Sequence, residues 1–398
     1  MALLHIPLQQ IDEQRLNALI GAGAPETRYI DYKRQTYGNA HADYSEFLAD
    51  ISSFANTAGG DVVIGMDAQN GIPTAITPLT MPMDPEILRL EQVARGGLQP
   101  RLADIGFHSV AVPGGNVLIV RAPRSFIPPH RVIRQAGNRF WARSNAGKYE
   151  PDVNELRTLF LAGPRLAERV QDFRLDRIAK LVAGHGPVPL MERGTLVLHI
   201  VPLTAFDNPI ALALQPIEQD FRIFVPMGST TASGMRINFE GVLKTSNADP
   251  QATQHRAYTH LYRNGIVEAV TSTLINDQTR VISFLDDIIV KETLKKLNDL
   301  ARVGVEPPFA ILVSIYGVQG VQLNLARPNA VWFDNLGNAL DRDQYHPQEV
   351  LVETLPRNIQ ECAKALRPIL DQIANAGGAA RSPIFDAQGN YLPLNGNQ

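Results

Sequence analysis

From the N-terminus to Phe160, apolar positions recur with two alternating periods, which predicts strands and helices in succession. "DEQRLNALIGAGAPE" reads as a helix ended by Gly21, Gly23 and Pro25, because glycine is entropically poor and proline sterically poor inside helices. "TRYIDYKRQ" then alternates at strand period, which puts Asp31 and Lys33 on one face and Ile30 and Tyr32 on the other. From Tyr44 to Ala55 the spacing returns to three and four, and Phe47, Leu48, Ile51 and Phe54 form the stripe of an amphipathic helix. That helix runs into "FANTAGGDVVIGMD", in which Gly59 and Gly60 open a strand of Val62, Val63 and Ile64 that leaves through Gly65 toward Asp67. A helix within "MDPEILRLEQVARGG" follows. Strands around "FHSVAVPGGNVLIVRAP", turning at Pro113–Gly115, and a short strand in "NRFWARS" come next. A helix from Asp152 to Phe160 closes this part, and "AGPR" marks a boundary near Gly163.

The remainder carries a helix over Ala167 to Ala183, then strand material in "TLVLHIVPL", "FRIFVPM" and "RINFEGVLKTS". In "YTHLYRNGIVEAVTS" the Asn264-Gly265 pair sits between two strand-like flanks, a hairpin signal because both residues tolerate positive φ. Helical spacing returns in "DDIIVKETLKKLNDLARVG" and in "PQEVLVETLPRNIQECAKALRPILDQIANAGG", with strand material in "FAILVSIYGVQGVQLNL" between them. The expected architecture is an α/β mixed domain over 1–163 and an α+β domain over 164–398, with a curved antiparallel sheet and a partly mobile tail at 379–398. No repeat of solenoid length is present.

Composition alters this picture little. The chain has 398 residues, enough for two cores, and 44% apolar with 19% charged residues is the balance of a folded protein. A net charge of -3 says nothing about local patches. The single cysteine, Cys362, excludes an internal disulfide, and there is no cysteine cluster or spaced histidine pair for zinc. The N-terminus lacks the pattern of a secretory leader and no apolar run is long enough to span a bilayer, so a soluble cytoplasmic protein without membrane partners is expected.

Local charge is more informative. There is no G-x-x-x-x-G-K-[ST], no dinucleotide turn, no nucleophile elbow and no H-E-x-x-H. Glu26, Asp31 and Lys33 form E-x-x-x-x-D-x-K at a loop-to-strand transition. Two converging carboxylates there can hold a hard divalent cation while the ammonium neutralises phosphate, the chemistry of a metal-dependent phosphodiesterase. Asp67, at the end of the next strand, is a third carboxylate able to reach the same sheet edge. The plain alternative is a pair of solvated strand residues, a helix stop at Gly59-Gly60 and a turn at Asp67–Gly71. From Ile105 through Tyr149 there is no Asp or Glu, while Arg121, Arg124, Arg131, Arg134, Arg139, Arg143 and Lys148 all fall there with Phe140 and Trp141. Such a run suits contacts to a phosphate backbone.

Together "ETRYIDYK", "FANTAGGDVVIGMD", "IPPHRV" and "RFWARSNAGKYEPDVNELRTLF" resemble the Schlafen AlbA-type domain over Glu26 to Phe160. The resemblance implies a nucleic-acid-acting protein, with metal-dependent endoribonuclease activity on structured RNA such as tRNA favoured and RNA preferred to DNA. Glu26 and Asp31 would be its two carboxylates, Lys33 its lysine, and Mg2+ or Mn2+ its cofactor, held with Asp67. At the third carboxylate the family pattern ends in Asp-Asp whereas this chain reads Asp67-Ala68, so either Asp67 substitutes or the metal site is impaired. Arg131, Arg139, Arg143, Lys148, His130 and Asn56 would contact nucleic acid, with Thr57 beside Asn56. One lobe in place of the paired lobes of vertebrate Schlafens implies a homo-oligomer, and relatives of this type often act in defence or stress response. The rival readings are a non-catalytic DNA- or RNA-binding regulator, a nucleotide-binding module, and an assembly scaffold built on the second domain.

Overall fold

The computed structural model describes all residues except 1–2, 4–5, 103, 134–137, 207–211, 249–253, 326–334 and 393–398, so Arg134 and the last six positions of the tail lie outside the described residues. The chain is a mixed α/β protein of two compact units, Met1–Leu166 and Ala167–Gln398.

The first unit is organised by a four-stranded sheet in the order β1 (Ile30–Lys33), β2 (Gly60–Ile64), β7 (Gly115–Ala122), β6 (Gly106–Val112), with β1 parallel to β2 and the other pairs antiparallel. Alternation splits β2 between two cores. Val62 and Ile64 face α2 (His41–Ala55) and α3 (Met83–Gly97), packing with Phe47, Leu48, Ile51, Phe54 and Leu90. Val63 faces the opposite layer with Ile30, Tyr32 and the Leu16 and Leu19 stripe of α1 (Glu13–Gly21). Because Asp31 pairs in register with Val62 and Lys33 with Ile64, the polar face of β1 looks toward the α2 layer, at the edge of the sheet.

Two small hairpins flank this edge. β3 (Met66–Gln69) and β4 (Ile72–Ile76) turn at Asn70 and Gly71, both at positive φ, and Gly71 accepts a hydrogen bond from the Glu26 amide through its carbonyl at 2.7 Å. β10 (Ala142–Ser144) pairs with β11 (Gly147–Tyr149). A third small sheet joins β5 (Leu98–Gln99), β8 (Arg131–Val132) and β9 (Arg139–Phe140). "NRFWARS", predicted as one strand, therefore divides at Trp141: its carbonyl accepts from the Asn56 side-chain amide at 2.9 Å, and the Arg143 amide donates to Thr57 Oγ1 at 3.0 Å. α4 (Val153–Val182) runs unbroken through Gly163 and Pro164, where the sequence predicts two helices. An internal proline removes one backbone donor, and the flanking leucines and alanines are strong helix formers.

The second unit holds an antiparallel sheet of eight strands. In order these are β13 (Gly234–Ile237), β14 (Gly241–Thr245), β15 (Ala257–Tyr262), β16 (Val267–Thr271), β12 (Thr195–Pro202), β18 (Phe309–Tyr316) and β21 (Gln344–Tyr345), with β22 (Val350–Val352) also on β18. β17 (Val281–Ile282), β19 (Gln322–Asn324) and β20 (Leu336–Ala339) form a small separate sheet. One sheet face packs with α6 (Leu285–Arg302) and α7 (Ile359–Ala376) in the larger core; the short α5 (Gln215–Gln219) contributes Ile217. On the other face Glu268 is fully buried between its register partners His199 and His260. It accepts two 2.8 Å bonds from Arg177, one from Tyr258 at 2.8 Å, and pairs with His199 Nε2 at 3.0 Å. Burial pushes this carboxyl up, but the Arg177 and His199 hydrogen bonds outweigh it and hold Glu268 well below the usual range.

"FRIFVPM", predicted as a strand, is a loop. Its backbone is satisfied by side chains instead of a ladder: buried Lys244 donates to the carbonyls of Asp220 and Ile223, Lys296 donates to that of Val225, and Asp299 accepts from the Phe224 amide. The start of the last predicted helix is strand β22. In the tail, Ile384, Phe385 and Tyr391 are buried, and Tyr391 donates to Asp287 while Ser382 donates to Asp286. Among the described residues no helix is long and apolar enough to cross a membrane.

Candidate nucleic-acid interface

Strand β1 places Asp31 and Lys33 two residues apart on one face, and helix α2 opposes them with Glu46 and Asp50, one turn apart on one side of the helix. The β10–β11 hairpin completes the cluster with Arg143 and Lys148, which are register partners. Three carboxylates and three cations thus interleave. Lys33 Nζ lies 3.1 Å from Asp31 Oδ2, 3.4 Å from Asp50 Oδ2 and 3.8 Å from Glu46 Oε1. Lys148 Nζ lies 2.8 Å from Asp50 Oδ1 and 2.5 Å from Glu46 Oε1. Asp50 also accepts from the Tyr37 hydroxyl at 2.8 Å.

Arg143 is held on every side. Its Nη2 donates to Asp31 Oδ1, its Nε donates to the Thr27 carbonyl at 3.2 Å, its Nη1 is 4.0 Å from Asp50 Oδ1, and its Cζ sits 4.4 Å over the Phe54 ring. Only 4% of the residue is exposed. Burial raises the Asp31 pKa, but the charges of Arg143 and Lys33 outweigh burial and lower it. For Asp50 burial prevails over Lys148 and Lys33 and the carboxyl is raised. Burial works against the Lys33 ammonium, yet Asp50 and Asp31 keep it charged far above neutral pH.

Glu26 stands at the rim. Its Oε1 accepts from the Tyr32 amide at 2.9 Å, and burial raises its pKa against that bond, with Asp31 adding to the rise and Arg143 opposing it. Glu26 and Asp31 therefore share one electrostatic neighbourhood with Arg143 and Lys33. Asp67 is turned elsewhere: it is on β3 and its carboxylate lies 3.8 Å from Arg34 Nη1.

The remaining basic and polar candidates occupy different positions. Arg139 makes an exposed 3.0 Å pair with Glu150, and Arg131 donates to Gln99 Oε1 at 2.5 Å. His130 and Asn56 are buried and committed to the fold rather than displayed. The His130 ring contacts the Pro100 carbonyl at 2.8 Å and Ser125 Oγ at 2.7 Å, its amide donates to Asn56 Oδ1 at 2.7 Å, and burial lowers its pKa. The solvent-reaching cations of the cluster are Lys33 and Lys148, whose side chains retain 29% and 20% of their exposure.

The residues do not suit the divalent cation expected from sequence. Asp31 faces Arg143 and Lys33, Asp67 faces Arg34, and Ala68 has no donor. Among the described residues no group of three or more His, Cys, Asp or Glu could hold a metal ion. Sequence reasoning missed Asp50, Glu46 and Tyr37. A signal was available: Asp50 is an acid set within the apolar stripe of Phe47, Ile51 and Phe54, where an unpartnered charge is costly.

The glycines of "FANTAGGDVV" serve the same site. Gly59 has φ +74° and its amide closes the end of α2 on the Phe54 carbonyl at 2.8 Å. At Gly60 a Cβ would fall 2.2 Å from Phe54 Cδ1 and 2.7 Å from the Tyr29 carbonyl, so only glycine lets α2 and β1 approach β2 this closely.

No curated protein matches this chain. Similar solved structures include the DIP2311 protein from Corynebacterium diphtheriae, 15% identical over 38% of this chain and 28% of that chain with a TM-score of 0.28. The N-terminal domain of a RecG-related protein from Nitrosomonas europaea is 20% identical over 29% of this chain and 75% of that chain with a TM-score of 0.23. This chain thus spans little more than a quarter of the length of the Corynebacterium protein. The family model described as Schlafen, AlbA_2 matches residues 26–152, which takes in β1 through β11 and every member of the charged cluster. Residues 26–152 of the first unit are a Schlafen AlbA_2 domain.

Proposed function

We propose that the first unit binds nucleic acid, RNA ahead of DNA, through phosphates received at the Lys33–Lys148 edge. The Schlafen AlbA_2 match suggests a nucleic-acid-related role. The observation that carries the reading is buried Asp50, which holds one ammonium at 2.8 Å and the other at 3.4 Å while both side chains still reach solvent. Two ammonium groups set in place by a buried acid lose little further entropy on meeting a phosphate. Asn56 and His130 support this edge from within by fixing the loop beneath β10. Binding of tRNA to the full chain, followed by fluorescence anisotropy across a potassium chloride series, tests the proposal. Affinity that falls with salt, and that drops in Lys148→Ala at retained folding, is the expected result; salt-independent or absent binding refutes it.

A second reading, an endoribonuclease, draws on the shared neighbourhood of Glu26 and Asp31 beside Lys33. Its test is incubation of tRNA with the purified chain, with and without Mg2+ or Mn2+. Cleavage that disappears in Glu26→Gln and Asp31→Asn supports it, and binding without turnover leaves the regulator reading. A second copy completing the interface is part of the same proposal, and light scattering with and without tRNA measures it.

A further inference from the structure

We propose that the Arg143 guanidinium is the resident cation of this domain, seated between Asp31 of β1 and Asp50 of α2 in place of a divalent ion, so that phosphate binding at the Lys33–Lys148 edge needs no metal. The inference rests on the nucleic-acid reading for its ligand, but its core, the identity of the cation, stands on the cluster alone.

Four independent contacts hold Arg143: the Asp31 carboxylate, the Thr27 carbonyl, the Phe54 ring face, and the Thr57 hydroxyl that accepts its backbone amide. A hard divalent ion requires several free oxygen ligands arranged around it. Here Asp31 Oδ1 accepts from Arg143 and Asp31 Oδ2, though it accepts no hydrogen bond, lies 3.1 Å from the Lys33 ammonium; Glu26 Oε1 is engaged by the Tyr32 amide, and the Asp50 oxygens face Tyr37, Lys148 and Lys33. Admitting the ion would strand a guanidinium with almost no solvent access beside a second positive charge. The planar, permanently charged fork of arginine suits a fixed site of this kind, because it can donate to Asp31 and the Thr27 carbonyl while its plane lies over the Phe54 ring, which the compact ammonium of lysine cannot do at once. Arg143, Lys33 and Lys148 together balance Asp31, Asp50 and Glu46, so the cluster leaves no uncompensated carboxylate that a bridging ion would have to neutralise before a phosphate approaches the two ammonium groups.

The experiment reads Mn2+ by electron paramagnetic resonance in the full chain, alongside tRNA affinity at matched ionic strength in EDTA or in Mg2+. The expected result is no stoichiometric Mn2+ uptake by the parent, and tRNA affinity unchanged within about threefold between EDTA and Mg2+. Arg143→Gln, checked for folding by its thermal melt, should acquire Mn2+ binding that the Arg143→Gln/Glu26→Gln pair loses. Stoichiometric Mn2+ uptake by the parent that Glu26→Gln or Asp31→Asn abolishes overturns the inference, as does tRNA binding that EDTA removes. If Arg143→Gln does not fold, the two measurements on the parent still decide. If tRNA is not bound under any condition, the nucleic-acid reading fails, and the Mn2+ result alone judges whether arginine is the resident cation.

Discussion

Replacing Asp50 with asparagine separates the structural from the electrostatic role of the buried acid. Asparagine keeps the shape and can still accept from the Tyr37 hydroxyl, but it removes the charge that faces Lys148 at 2.8 Å and Lys33 at 3.4 Å. A hydrogen bond to a charged group contributes about 1.5–3 kcal/mol. Against that stands the cost of burying a carboxylate, which prevails at Asp50 over the pull of Lys148 and Lys33 and raises its pKa. The variant should therefore melt no lower than the parent where the parent's carboxyl is ionised. Binding should change as well. The cluster gains one net positive charge, so tRNA affinity at low salt should rise, and the slope of log K against log salt should steepen by up to about 0.9. Thermal melts and salt-series anisotropy on the same preparation measure both quantities. A folded Asp50→Asn that binds tRNA more weakly, or with an unchanged slope, would refute the assignment of Lys33 and Lys148 as the phosphate-facing pair.

Three further outcomes are expected. Gly60→Ala should destabilise the first unit by about 1–3 kcal/mol, seen as a lower melting temperature, because the added carbon meets Phe54 and the Tyr29 carbonyl. Glu268→Gln should cost the second unit about 3–5 kcal/mol in urea unfolding by leaving the buried Arg177 guanidinium without its counter-charge. Burial, with Asp371 and Asp287 nearby, holds the Asp286 carboxyl up at about 6 against its Ser382 hydrogen bond. A folded pKa above the unfolded one means that its contribution is intact below the unfolded pKa and is lost as pH rises through about 6. Asp286→Asn should therefore melt higher than the parent at pH 8, with the difference shrinking toward pH 4; an equal shift at both pH values would show that the carboxyl is not the cause.

The architecture of the first unit follows closely from local pattern. Alternation in "TRYIDYKRQ" put Asp31 and Lys33 together, the three-and-four spacing of α2 placed its apolar stripe, and the paired glycines marked the close approach of β2. The Asn264-Gly265 turn also lies where its φ preference puts it, with Gly265 at +83° between β15 and β16. Local failures share a cause. "FRIFVPM" has a strand's apolar content, yet buried lysines and acids from β14 and α6 satisfy its backbone and leave it a loop, which no window of sequence around it contains. "NRFWARS" breaks because Asn56 and Thr57, far away in sequence, take its backbone groups.

The same division holds for the site. Which charged residues occur near the sheet edge, and which of them share a face, follows from local pattern, because those relations depend on periods of two and of three to four along one element. How the charges are neutralised is set by long-range packing. Asp31 meets Arg143 across 112 residues, and Asp50 meets Lys148 across 98, through the docking of the β10–β11 hairpin against β1 and α2. Whether a carboxylate is free for a metal or already held by a guanidinium depends on which long-range neighbour reaches it in a dry interior, and side-chain chemistry read along the chain carries no record of that neighbour.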